Sequence, residues 1–153
     1  MGQSLASVYV HAVFSTKERR PLIKDPTVRK QLHAYLGGIC NAKGSTCITV
    51  GGTEDHVHIL YRQSRTESIS DTIRSIKSGS SSWIKGHDRM SEFSWQSGYG
   101  AFSVGFRELD AIVAYIGNQE EHHRKVSFMD ELRGMLEEHG IEYDEKYLWT
   151  DSD

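Results

Sequence analysis

Between residues 48 and 61 the chain reads ITVGGTEDHVHILY, and this stretch decides the fold. Two β-rich runs flank a Gly-Gly-Thr-Glu-Asp connection, the pattern of a β-hairpin. The second run, HVHILY at residues 56–61, has a period of two. His56 and His58 therefore share one face of a strand, and Val57 points to the other. Upstream, residues 7–14 (SVYVHAVF) form another β-rich run without a breaker. Between the two, Val28, Leu32, Tyr35, Leu36 and Ile39 recur at helical spacing over residues 28–41, and Gly44 ends the segment. Asp25 stands where an N-cap belongs, and Pro26 falls where a first helical turn tolerates it.

Downstream, Thr66-Glu67-Ser68 leads into a second helix with Ile69, Ile73, Ile76 and Trp83 near one face, its end blurred by the serines of residues 78–82. Residues 93–106 (FSWQSGYGAFSVGF) read as strands around a turn or bulge at Gly98. One long helix is predicted from about residue 108 to 122, and a shorter one from about 128 to 139, closed by Gly140. The order β-α-β-β-α-β-α predicts an α+β, ferredoxin-like split β-α-β sandwich: an antiparallel sheet with helices on one face, plus a C-terminal helix carrying Tyr115.

Composition narrows the function classes. The 153 residues are 37% hydrophobic and 25% charged, which predicts one globular domain over residues 1–153 and excludes a disordered tail, a collagen or a coiled-coil rod. No run approaches the ~20 apolar residues of a membrane span, and the N-terminal residues lack a signal-peptide pattern, so a cytoplasmic address is expected. Cys40 and Cys47 are too few for a disulfide framework or a cysteine zinc site. The net charge of -3 hides an asymmetry. Residues 1–90 carry 13 Lys and Arg against 7 Asp and Glu, whereas residues 91–153 carry 5 against 14. A basic face suited to a polyanion can exist on such a chain.

The chemistry-bearing residues are few. On a strand the His56 and His58 Cα atoms stand about 6.5–7 Å apart, close enough for two imidazoles to converge on one ion. The plain alternative is a pair of partly exposed histidines bonded to their neighbours. Tyr115 and Gln119, four residues apart, stack on one face of the predicted helix. The Gln119 carbonyl is a hard oxygen ligand suited to Mg²⁺ or Mn²⁺. The Tyr115 phenol can act as a covalent nucleophile once its proton is removed, and the plain alternative for the pair is a Tyr at an apolar helix boundary with a Gln on a solvated face. The cluster Lys17, Arg19, Arg20, Lys24 and Arg29 is the stretch best suited to the phosphates of a polyanion, with a solvated loop as its alternative. His123 is a further candidate beside Gln119, against the plain role of a helix-end histidine. His11 reads as a neighbour of the site or a core histidine, and Glu54 and Asp55 as hairpin-turn residues.

Taken together, YVHAVFSTKERRP, GGTEDHVHIL, SIKSGSSSW, WQSGYGAFSV and YIGNQEEHH resemble the single-tyrosine HUH transposases of the insertion-sequence-two-hundred-like family. The resemblance covers nearly the whole chain and implies a bacterial or archaeal enzyme that cuts and rejoins single-stranded DNA at hairpin-bearing ends. It implies that His56, His58 and Gln119 hold one divalent ion, that Tyr115 attacks the phosphorus to leave a 3′-OH and a 5′-phosphotyrosine, and that no nucleotide cofactor is needed. It also implies a homodimer joined edge to edge near residues 98–104, in which a site can take the partner's tyrosine. Three alternatives stand beside it: a domesticated relative acting on chromosomal hairpin repeats, a hydrolase using water, and a non-catalytic module stacking bases on Tyr9 or Phe14.

Overall fold

A computed structural model of the chain describes residues 2–87 and 90–148. Four strands, β1 (Tyr9–Ser15), β2 (Thr46–Gly52), β3 (His56–Arg62) and β4 (Gly100–Val104), form one antiparallel sheet in the order β2-β3-β1-β4. The two β-α-β crossovers run through α1 (Pro26–Ala42) and α2 (Ile69–His87), giving the ferredoxin-like arrangement expected from the element order.

The start of α1 follows its capping chemistry. Asp25 Oδ1 accepts from the Thr27 and Val28 amides at 2.8 and 3.4 Å, and Pro26 needs no hydrogen-bond acceptor. One sheet face, with Val10, Ala12, Phe14, Val57, Ile59 and Tyr61, packs with Leu32, Leu36, Ile73 and Ile76 into the main core. The serine-rich stretch does not end α2. Its small side chains let two helices approach, and a Cβ on Gly79 would stand 2.8 Å from Ile39 Cδ1.

Three readings change. Residues 93–99 are not a strand: among them Trp95 alone makes an isolated bridge, to Thr16, and Gly98 adopts a φ of 85°. Trp95 is instead a core side chain, edge-on to both Phe14 and Phe93, with its indole N–H donated to Ser80 Oγ at 2.9 Å. Phe14 is therefore fully buried and offers no ring to a base. Finally, the long third helix breaks at Asn118 (φ −105°, ψ 21°) into α3 (Leu109–Gly117) and α4 (Gln119–His122).

The second sheet face is covered as well. The helix α3, which carries Tyr115, packs on β2 and β3. Beyond α4, α5 (Phe128–Glu138) lays Phe128, Leu132 and Leu136 against Val13 and Phe102 of β1 and β4. Both histidines of β3 lie between these helices and the sheet. No helix among the described residues is long and apolar enough to cross a membrane.

Candidate active site

The register of the sheet assembles the floor of the site. On the second face His58 stands opposite Val13 of β1 and Gly51 of β2, while His56 stands opposite Ser15. Gly51 is required there by close approach: a Cβ would fall 2.4 Å from the Ile116 carbonyl oxygen at the end of α3. This contact brings Tyr115 and Gln119 down onto the histidines.

The break at Asn118 turns Gln119 inward, and its side chain is buried. Its Oε1 lies 3.0 Å from His56 Nε2 and 3.0 Å from His123 Nε2. Opposite stands Glu131 of α5, a carboxylate only 6% exposed. Glu131 Oε1 faces the imidazoles, 3.0 Å from His58 Nε2 and 3.2 Å from His123 Nε2. Glu131 Oε2 accepts from the Tyr115 hydroxyl and, at 3.1 Å, from Gln119 Nε2. His122 Nε2 also lies 3.2 Å from Oε2, without the alignment of a hydrogen bond.

Further groups orient the two strand histidines through their other ring nitrogens. His56 Nδ1 lies 2.9 Å from Asp55 Oδ1 and 3.0 Å from Thr53 Oγ1. His58 Nδ1 lies 2.7 Å from His11 Nε2. A carboxylate or acceptor behind an imidazole is the usual way a ligating histidine is held in one tautomer. Asp55 and His11 thus back the two strand histidines while also holding their places in the hairpin turn and the buried sheet face.

Charge is strongly perturbed here. Burial, then the neighbouring His58, lowers His11 to about 3. Burial lowers His58 to about 4, against the raising effect of Glu131. Burial alone would raise Glu131, but hydrogen bonds from His123 and His58 outweigh it and hold the carboxyl far below its ordinary value. Burial and the hydrogen bond to Glu131 raise Tyr115, so the phenol is held in its protonated form.

The residues fit a divalent ion. One ligand atom from each of His56, His58, His123 and Glu131 lies within 4.8 Å of the others. Metal–imidazole bonds of ~2.0–2.1 Å place the ligands of one ion up to ~4.2 Å apart, so small side-chain shifts would close the cluster.

The five basic candidates separate. Lys17, Arg20 and Lys24 are exposed and Arg19 is half-buried, on the loop joining β1 to α1. That loop runs beside the β2–β3 turn, with Ile23 N bonded to Glu54 O at 2.9 Å and Thr16 N to Asp55 O at 2.8 Å. It thereby flanks the His56 end of the site. Arg29 braces the fold instead, donating to the Ile23 and Lys24 carbonyls and to Glu120 at 2.8 Å. Glu131 is the residue that sequence reasoning missed. Its only signal was an acidic residue one position before Leu132, on the inner stripe of a short amphipathic helix.

Comparison with known proteins gives a consistent picture. The profile of the family described as Transposase IS200 like matches residues 4–119. A candidate transposase from Deinococcus radiodurans R1 superposes with a TM-score of 0.60 at 21% identity, over 78% of this chain and 96% of that one. A REP-associated tyrosine transposase bound to a REP hairpin superposes with a TM-score of 0.59 at 14% identity, over 82% of this chain and 76% of that one. At these identities the likeness concerns the fold. No match was found among curated proteins.

Proposed function

The chain belongs to the IS200-like transposases, and from that premise we propose that it cleaves and rejoins single-stranded DNA through a covalent Tyr115–DNA bond, aided by a divalent ion. The observation that supports this most is convergence. The Tyr115 hydroxyl, the Gln119 amide and the imidazoles of His58 and His123 all reach one buried carboxylate, Glu131, while His56 joins through Gln119.

His56, His58 and Gln119 would hold Mg²⁺ or Mn²⁺, which supplies neutralisation of charge on a non-bridging oxygen of the scissile phosphate. Tyr115 gives up its phenolic proton to solvent, and Oη forms a bond to phosphorus as the bond to the 3′ oxygen breaks. That oxygen leaves with the bonding pair and takes a proton, giving a 3′-OH, and the 5′ phosphate stays on the tyrosine. At rest Glu131 Oε2 orients the phenol and keeps it neutral. Rejoining is the reverse step with another 3′-OH, so no nucleotide cofactor is required.

The substrate of this reading is a single-stranded hairpin, its phosphates met by Lys17, Arg19, Arg20 and Lys24. The working unit is a homodimer joined at β4, an edge strand of the sheet. Within one chain Tyr115 already lies beside its own His58, with ring centroids 5.8 Å apart, an arrangement that suits attack in cis. The neighbour bound to a REP hairpin favours a second reading, the same chemistry applied to chromosomal hairpin repeats.

The test uses a 3′-labelled hairpin oligonucleotide with Mg²⁺ or Mn²⁺, resolved on a denaturing gel. Label should travel with the protein, and Tyr115→Phe should remove that band. Free 5′-phosphate ends without protein-linked DNA would show attack by water and overturn the proposal.

A further inference from the structure

We propose that Glu131 Oε1 is itself a ligand of the ion held by His56, His58 and Gln119, with His123 adding a third imidazole, a set of donors that prefers Mn²⁺ to Mg²⁺. This rests on the metal-dependent reading of the site given above.

Three observations carry it. First, an almost fully buried carboxylate requires compensation for its lost hydration, usually a cation. Every partner described for the two Glu131 oxygens is an imidazole, an amide or a phenol. Second, the two oxygens face different groups. Oε1 lies 3.0, 3.2 and 3.8 Å from Nε2 of His58, His123 and His56, whereas Oε2 holds Tyr115 and Gln119. One oxygen can therefore enter the coordination shell while the other keeps the nucleophile in place. Third, α5 is anchored at this point: the Phe128 ring stacks on His56 with centroids 4.3 Å apart, and Leu132 beside Glu131 is buried. The carboxylate is held inward by packing on both sides.

The donor chemistry follows. Imidazole nitrogens suit first-row transition ions, whereas Mg²⁺ seeks oxygen ligands and keeps its waters. A Glu131 ligand also latches α5 to the sheet through the ion, so opening of that helix must break a metal–oxygen bond.

The experiment is Mn²⁺ titration of the full chain, followed by the loss of the free-ion paramagnetic resonance signal, for wild type, Glu131→Gln and His58→Ala. Glu131→Gln should weaken Mn²⁺ binding by at least ~10-fold, the lower end of what even an outer partner of a ligand contributes. Wild type should bind Mn²⁺ more tightly than Mg²⁺. Amide exchange of wild type gives a measurement independent of any variant: at 100 times the dissociation constant, Mn²⁺ should slow the amides of Phe128–Glu138 by up to ~100-fold. Loss of binding in His58→Ala with unchanged binding in Glu131→Gln overturns the proposal and leaves the metal site standing. So does unchanged exchange in α5 when Mn²⁺ is bound. A wild-type chain that takes up no divalent ion removes the metal-dependent reading itself, and this inference with it.

Discussion

Asp55 and His11 each touch the far ring nitrogen of a strand histidine, on the side away from Glu131. Asp55→Asn should leave the fold intact and weaken divalent-ion binding by about 10–100-fold, as removal of such a partner typically does. Calorimetric titration checks this, and wild-type affinity in the variant would reduce Asp55 to a turn residue. At this scale the His-Val-His alternation was legible, because a period of two needs only local geometry. Tyr115 and Gln119 were picked out by helical spacing, but the helix breaks between them and they meet through Glu131 Oε2. Glu131 was not legible, since its place depends on how α5 docks, a long-range packing outcome whose only local trace is an acidic residue on the inner stripe of that helix. His11 was ambiguous in sequence because its role comes from a strand neighbour 47 positions away, His58.

The elements show the same division. The positions of β1 to β3 and the α1 start follow from local signals: alternation, the Asp25 cap and the Pro26 first turn. The break at Asn118 was not read, because residues 109–122 contain no proline, although Gly117-Asn118 is a helix-ending pair. Packing of the α3 C-terminus onto Gly51 accompanies that break and seats Tyr115 over β3. Gly51→Ala should therefore displace α3, costing roughly 1–3 kcal/mol of stability as overpacking does, and slow adduct formation. Urea denaturation and the rate of adduct formation test this together. A variant with unchanged stability and rate would show that the contact is dispensable. Trp95 teaches the complementary lesson. An aromatic run resembling a strand became the wall of the core, because burying an indole and pairing its N–H with Ser80 outweighs extending a sheet.

For the molecule as a whole, buried histidines make acid the natural denaturant. His11, His33 and His58 sit at about 3, 4 and 4 in the folded state, below the ordinary 6.5. Burial is the largest cause for each, and the folded state binds fewer protons than the unfolded chain. Their contribution is complete above pH ~6.5 and is lost as the pH falls toward 4. His123, raised by Glu131 against its own burial, acts in the opposite sense and softens the slope. The melting temperature of the metal-free protein should fall steadily from pH 7 to 4.5, and His33→Gln should flatten part of that fall. A melting temperature constant over this range contradicts the assignment of these histidines as neutral. The Tyr115–phosphate bond is read directly by peptide mass mapping after reaction with a hairpin oligonucleotide and Mn²⁺. A nucleotide linked through its 5′ phosphate is expected on the peptide containing Tyr115 and on no other. An adduct on a different residue, or cleaved DNA with every peptide unmodified, contradicts it.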